Sequence, residues 1–143
     1  MNVLLADDDI DTRYFFENAL KEISISTSLT MVGDGEKLMN YLNENSDLLP
    51  QVIFLDLSMP RKTGFECLSE IKENPLFQNI PVVLFSTSYS RDISYEQGMI
   101  TTLFEIGANY YIRKPGNIAQ LKLDIHNVLL MVIENPLSTK KTN

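Results

Sequence analysis

The alternation of short apolar runs with longer segments of helical period is the feature that most constrains this chain. Five runs have the length and apolar content of strands: residues 3–6, 29–32, 51–55, 82–85 and 110–113. The segments between them repeat apolar residues at helical spacing. Strands that are apolar almost throughout are typical of a parallel sheet covered on both faces. The sequence therefore predicts an α/β fold with a doubly wound, five-stranded parallel sheet and helices on both faces.

Capping signals locate several of the helix ends. Asp9 is the expected N-cap of the first helix. Thr63, with Glu66 three residues later, has the form of a capping box for the third helix. Residues 86–97 form a polar stretch, which we expect to be a connection, and the helix after it is expected to stop at Gly107.

Length and composition indicate one domain in the cytoplasm. We expect the domain at residues 1–135 of the 143 and a disordered polar tail at residues 136–143. The net charge of −7 disfavours binding to a nucleic-acid backbone. The single cysteine, Cys67, cannot form an intramolecular disulfide, which suits a reducing compartment. Neither a signal peptide nor a run long enough to span a bilayer is seen, so we expect no membrane insertion.

The residues that directly follow the predicted strands carry the chemistry. Asp7 and Asp8 follow the first strand, Asp56 the third, Ser86 the fourth and Lys114 the fifth. In an open α/β sheet the ligand site lies beyond the carboxyl ends of the strands. If the strand order is 2-1-3-4-5, three carboxylates, a hydroxyl and an ammonium meet there. Crowded carboxylates need a cation, and an oxygen-only ligand set favours Mg²⁺. An aspartate in such a site can attack phosphorus and form an aspartyl phosphate.

Four segments resemble the response-regulator receiver family, in the family's order and at about its spacing. They are residues 4–9, residues 53–60 with Gly64 after them, residues 83–87 and residues 111–115. The resemblance covers about residues 2–134 and is closest to stand-alone, chemotaxis-regulator-like receivers. It implies a flavodoxin-like strand order 2-1-3-4-5 and a role in two-component signalling. A histidine kinase or histidine phosphotransfer protein would be the donor, and a downstream protein or a further relay step would receive the signal.

The same resemblance assigns the metal-binding half of the site. It implies that Asp56 is the phospho-acceptor and that Asp8 binds Mg²⁺ directly. Asp7 would help directly or through water, and Ser58 would give its backbone carbonyl to the metal. The chain would then be no enzyme beyond catalysing its own phosphorylation and dephosphorylation.

The resemblance also assigns a switch. Ser86 is its hydroxyl, and Lys114 is expected to pair with Asp56 and later with the phosphoryl group. Tyr111 occupies the aromatic switch position, although an aromatic residue in a strand is usually core packing. The Lys114–Pro115 bond is often cis in this family, and the sequence does not show which isomer is present.

The chain departs from the family pattern at one place. Between Ser86 and Lys114 it is several residues longer than a typical receiver, and we place the excess in residues 88–98. A longer segment here resembles regulators that pair with phytochrome-type and other sensor kinases. The departure concerns the surface shown to a partner and leaves the acceptor residues unchanged.

Other interpretations fit parts of the same sequence. Asp7 and Asp8 could be only a solvated helix start, since acidic residues favour helix N-termini. The chain could be a pseudo-receiver, a binding scaffold that no longer uses its site. A haloacid-dehalogenase-like phosphatase would place a second Asp two residues after the nucleophile, where this chain has Ser58. Residues 33–35 (Gly-Asp-Gly) are too short for a dinucleotide fingerprint and predict a turn. A homodimer is an alternative to a monomer.

Overall fold

The computed structural model describes residues 1–86 and 93–134. Its strands are β1 (Asn2–Ala6), β2 (Ser28–Val32), β3 (Val52–Leu55), β4 (Val82–Ser86) and β5 (Tyr110–Arg113). Its helices are α1 (Ile10–Glu22), α2 (Gly35–Glu44), α3 (Gly64–Glu73), α4 (Ile93–Ile106) and α5 (Ile118–Glu134). The tail predicted at residues 136–143 lies outside the described residues, as does the part of the extended segment at residues 88–92.

The strands form one parallel sheet in the order β2-β1-β3-β4-β5. This confirms the predicted doubly wound fold and its 2-1-3-4-5 order. The order reverses between β1 and β3, so the carboxyl ends of these two strands flank the crevice in which such folds bind ligands.

Successive residues of each strand point to opposite faces of the sheet and fill two separate cores. On one face, Leu4, Ile53 and Leu84 pack with residues of α2, α3 and α4. On the other face, Phe54 and Phe85 pack with Phe16 of α1 and with α5. Both faces of the central strands are therefore buried, which explains why these strands are apolar without interruption.

Three of the predicted helix ends are confirmed. The Asp9 side chain accepts a hydrogen bond from the backbone of Asp11 at the start of α1. Thr63 and Glu66 form the reciprocal hydrogen bonds of a capping box at the start of α3. Gly107 follows the end of α4 with φ +136°, a conformation that glycine adopts without the strain a side chain would cause.

The expected connection at residues 86–97 is wrong in its last part, because α4 begins at Ile93. Glu96, in the first turn of α4, is buried and forms an ion pair with Arg113 at the end of β5. Tertiary contact therefore stabilises a helical turn whose polar sequence indicated a loop. No helix among the described residues is both long enough and apolar enough to cross a membrane.

Candidate functional site

Backbone hydrogen bonds extend the sheet by one residue and so fix the residues that follow the strands. The amide of Asp7 donates to Val32 at 3.0 Å, and the amide of Asp56 donates to Ala6 at 2.9 Å. At the same end of the sheet, after β5, the Lys114 amide donates to the carbonyl of Ser86 at 2.8 Å. The side chains of Asp7, Asp56 and Lys114 therefore start from rigid backbone.

Three carboxylates meet at this edge of the sheet. Asp7, Asp8 and Asp56 each offer an oxygen, and these oxygens all lie within 4.8 Å of one another. Asp7 is fully buried and Asp56 is 4% exposed, whereas Asp8 faces solvent. The structure thus brings together the three acids that the sequence placed at one site.

Lys114 supplies the positive charge beside the buried acids. Its ammonium lies 2.8 Å from Oδ2 of Asp7 and 3.8 Å from Oδ2 of Asp56. The same ammonium lies 5.3 Å from the centroid of the Phe85 ring, close enough for a cation–π contact. The expected pairing of Lys114 with Asp56 is therefore shared with Asp7, which is the nearer partner.

Backbone amides orient one oxygen of each buried acid. The Asp9 amide donates to Oδ1 of Asp7 at 2.9 Å, and the Ser58 amide donates to Oδ1 of Asp56 at 3.2 Å. Oδ2 of Asp7 is buried and receives no hydrogen bond of good geometry, although it is in ion-pair contact with Lys114. The Asp9 amide therefore fixes Oδ1 of Asp7, and Oδ2 of Asp7 faces the Lys114 ammonium.

Burial raises the pKa of both buried acids. For Asp56, burial and then the negative charge of Asp7 raise the pKa to about 6, with Lys114 acting in the opposite direction. For Asp7, burial raises the pKa, and contact with Lys114 offsets part of this. One ammonium therefore does not fully compensate two buried carboxylates.

The donor set fits a divalent metal ion. The candidate ligands are all oxygens and come from three acids in one cluster, in which Oδ2 of Asp7 is buried in ion-pair contact with Lys114 but accepts no hydrogen bond. Hard cations bind such oxygen sets, and their charge would compensate the acids. Asp8, being exposed, gives such an ion a route from solvent.

The segment between β3 and α3 forms one wall of the site. Ser58 and Asp8 line an open groove that continues past Pro60 and Thr63 toward α4. A Cβ atom on Gly64 would lie 2.6 Å from the carbonyl oxygen of Asp56. Only glycine allows α3 to start this close to the acceptor candidate.

The remaining predicted site residues lie along β4 and β5. Ser86 is the last residue of β4 and is buried. Tyr111 is half-buried and packs against the core on the α2–α3–α4 side of the sheet. No cis peptide bond is found among the described residues, so the Lys114–Pro115 bond is trans.

Two ion pairs near the site were not predicted. Glu96 of α4 pairs with Arg113, the neighbour of Lys114, and Asp34 pairs with Arg61 after β3. Asp34 is buried and caps α2 by accepting a hydrogen bond from the Lys37 amide at 2.7 Å. An acidic residue just before a helical segment was the available signal for the cap. No sequence pattern pointed to its partner.

Residues 3–126 match the family model described as the response regulator receiver domain. Response regulator Rcp1 of Synechocystis sp. (strain ATCC 27184 / PCC 6803 / Kazusa) is 32% identical over 123 residues, which cover 83% of this chain and 80% of Rcp1. Some longer proteins match over a small share of their length. The 3',5'-cyclic-nucleotide phosphodiesterase regA of Dictyostelium discoideum is 32% identical over 129 residues, which are 90% of this chain and 15% of regA.

Two solved structures are similar over nearly their whole length. The Mn²⁺-bound form of Rcp1 has a TM-score of 0.74 at 30% identity, covering 89% of this chain and 90% of that one. The phosphorylated cyanobacterial phytochrome response regulator RcpA has a TM-score of 0.76 at 29% identity, covering 92% of this chain and 93% of that one.

Proposed function

This chain belongs to the response regulator receiver family, and from that premise we propose that Asp56 accepts a phosphoryl group with the help of Mg²⁺. The observation that carries the proposal is the cluster of Asp7, Asp8 and Asp56 oxygens within 4.8 Å, with the Lys114 ammonium against it. The Asp56 carboxylate belongs to this cluster and lies 3.8 Å from the Lys114 ammonium, at the switch point of the sheet.

The metal would be held by carboxylate oxygens of Asp7, Asp8 and Asp56 together with the backbone carbonyl of Ser58. When bound, Mg²⁺ supplies positive charge that neutralises the acid cluster and the oxygens of the transferring phosphoryl group. Mg²⁺ is proposed from the hardness of the oxygen ligands. Rcp1, a similar receiver, has been solved in a Mn²⁺-bound form, which supports a divalent ion here.

The chain's own residues would perform the transfer as follows. An oxygen of Asp56 attacks the phosphorus of a phosphohistidine, and the P–N bond breaks with its electron pair remaining on the imidazole nitrogen. The Ser58 amide, at 3.2 Å, holds Oδ1 of Asp56, which leaves Oδ2 on the side of Lys114. Lys114 and the Ser86 hydroxyl would then receive the negatively charged phosphoryl oxygens.

The same residues would convert the new phosphoryl group into a change of surface. Ser86 moving toward the phosphoryl oxygens would leave space that the half-buried Tyr111 ring can fill. Arg113 and Glu96 join β5 to α4, so a change at Lys114 would also reach α4 through this ion pair. We propose that the inactive and active arrangements coexist and that phosphorylation shifts their populations.

The donor must place its histidine above Asp56, and so must rest on the elements around the site. The helix α1 starts beside the site and exposes three large apolar side chains, those of Ile10, Tyr14 and Phe15. Phe15 lines a groove together with Lys114 and Asn117. We propose that this face of α1 contacts a histidine kinase or histidine phosphotransfer protein in the cytoplasm. The similarity to RcpA, a phytochrome response regulator, suggests phytochrome-type kinases as the first donors to test.

The proposal is tested by measuring intact protein mass after incubation with acetyl phosphate. We expect one phosphoryl addition on the wild type with Mg²⁺, and none with a chelator or on Asp56→Asn. Absence of any addition, followed by failure with a panel of phosphorylated kinases, would favour the pseudo-receiver interpretation.

A further inference from the structure

The backbone at Arg61 adopts a conformation that side chains rarely take. Its φ is +70°, and it is the one non-glycine residue with positive φ among those that the structure describes. The Lys62 amide donates to the Pro60 carbonyl at 2.8 Å, so Arg61 is the central residue of a γ-turn with positive φ. Such turns are rare and strained, and they persist where surrounding contacts hold them.

An ion pair to a buried acid joins this turn to the start of α2. Arg61 Nε lies 3.6 Å from Oδ2 of Asp34; the Asp34 side chain is 7% exposed and that of Arg61 is 65% exposed. The other oxygen of Asp34 caps α2 through the Lys37 amide. Asp34 is therefore fixed by the helix that it caps, and Arg61 is anchored to that fixed point.

Close backbone packing joins the same two segments. A Cβ atom on Gly35 would lie 2.1 Å from the carbonyl oxygen of Lys62, so the start of α2 lies directly against the residue after the turn. On the site side, the Gly64 amide donates to the Leu57 carbonyl at 3.2 Å. The segment from residue 57 to residue 64 is thereby clamped at its middle and at its ends.

Ser58 lies within this clamped segment, three residues before Arg61. Its amide holds the Asp56 carboxylate, and its carbonyl is the proposed metal ligand. A change in the turn at Arg61 would rotate peptide groups leading back to Ser58. The precision with which Ser58 faces the acid cluster therefore depends on what keeps the turn in place.

We propose that Arg61, through its ion pair with Asp34, is a positioning residue that sets the Ser58 backbone for divalent-metal binding. This inference rests on the metal role given under the proposed function. It assigns to α2, which contributes no group to the site, a part in determining its metal affinity.

The test compares Mn²⁺ affinity, measured by electron paramagnetic resonance of free Mn²⁺, with urea unfolding in chelator. Arg61→Ala and Asp34→Asn are each expected to weaken Mn²⁺ binding about twofold to fivefold, the range that a partly exposed ion pair supports. Asn preserves the helix cap, so α2 should remain folded. The double variant should bind Mn²⁺ like either single variant, because both remove the same interaction.

Two further variants separate the ion pair from other effects. Lys122→Ala, which removes an ion pair between α5 and α1 and leaves residues 57–64 unchanged, should bind Mn²⁺ like the wild type. Arg61→Gly removes both the guanidinium and the backbone strain, and it too should weaken binding. If either Arg61→Gly or Arg61→Ala bound Mn²⁺ with wild-type affinity, this inference would be overturned, while the proposed metal role would stand. A wild type that binds no Mn²⁺ would overturn both this inference and the metal role on which it rests.

Discussion

The ammonium of Lys114 lies 2.8 Å from Oδ2 of Asp7, an oxygen on a fully buried side chain. It lies 1.0 Å farther from Asp56, at 3.8 Å. Before phosphorylation, Lys114 therefore serves mainly as the counter-charge of an acid that would bind metal. A phosphoryl group on Asp56 would compete for that ammonium, which gives Lys114 two alternative partners.

Removing Lys114 should destabilise the metal-free protein. We expect Lys114→Ala to lower the free energy of unfolding by about 1–3 kcal/mol at neutral pH, because a buried carboxylate loses its partner. Saturating Mg²⁺ should restore much of this loss. Urea unfolding with and without chelator measures it. Lys122→Ala is the matched control, since its ion pair with Glu22 is largely exposed and should contribute under about 1 kcal/mol. Equal losses in the two variants would contradict the role given to Lys114.

The raised pKa of Asp56 predicts that the metal-free protein loses stability as the pH rises from 4 to 6. The folded protein keeps the Asp56 proton up to about pH 6, whereas the unfolded chain loses it near 3.8. The folded state thus binds more protons between these values, and stability contributed by Asp56 falls as pH rises through this window. Asp56→Asn should be the more stable protein at pH 7, by up to about 3 kcal/mol.

Unfolding curves of wild type and Asp56→Asn from pH 4 to pH 7 test this sign. The difference should nearly vanish at pH 4, and Mg²⁺ should reduce it at pH 7. A difference that grows as the pH falls would show that the Asp56 pKa is lowered rather than raised.

Gly64 should not tolerate a side chain. Gly64→Ala would place a Cβ atom 2.6 Å from the Asp56 carbonyl oxygen and 2.6 Å from Leu57 Cα. We expect a loss of about 1–3 kcal/mol of stability and slower phosphorylation, because the backbone beside the acceptor must shift. Gly98→Ala in α4 is the control: nothing lies within 4 Å of its added Cβ, and it should stabilise by about 0.5–1 kcal/mol. A neutral Gly64→Ala would contradict the close packing.

Ser86 should be needed for the switch more than for the chemistry. Ser86→Ala is expected to remain phosphorylatable, while beryllofluoride, a phosphoryl mimic, should no longer shift the backbone amide resonances near Tyr111 and in α4. In the wild type those shifts should be clear, and in Asp56→Asn absent. Identical beryllofluoride shifts in wild type and Ser86→Ala would remove Ser86 from the coupling.

The apolar face of α1 should affect the rate of phosphoryl transfer from a protein donor but not from a small-molecule donor. Tyr14→Ser and Phe15→Ser are expected to slow transfer from a phosphorylated kinase about tenfold, the loss of roughly 1.4 kcal/mol of contact. Phosphorylation by acetyl phosphate should not change. Leu48→Ser is the control, since this exposed residue precedes β3 and lies at the opposite end of the sheet. Unchanged kinase transfer in the α1 variants would place the donor elsewhere.

The sequence predicted the sheet and its order because buried parallel strands leave a clear pattern of continuous apolar runs. It also predicted which acids meet, since residues that follow parallel strands share one edge of the sheet. The pairing of Lys114 with Asp7 was not predictable, because it depends on side-chain reach across β3 and β4.

Two other features depended on contacts between segments distant in the sequence. The first turn of α4 is polar, and its Glu96 is buried because the side chain pairs with Arg113 of β5. The sequence predicts a turn at residues 33–35, but α2 begins at Gly35 with Asp34 as its N-cap, and the ion pair of Asp34 with Arg61 has no periodic signal. Local patterns predict elements, whereas such ion pairs require knowledge of how the elements pack.

The most direct test of the central claim is to locate the phosphoryl group. Wild-type protein is treated with acetyl phosphate and Mg²⁺, reduced with borohydride, which converts an aspartyl phosphate to homoserine, and mapped by peptide mass spectrometry. We predict homoserine at position 56 alone, and none when Mg²⁺ is chelated. Homoserine at position 7 or 8, or modification that is independent of Mg²⁺, would contradict the assignment of Asp56 as the metal-assisted phospho-acceptor.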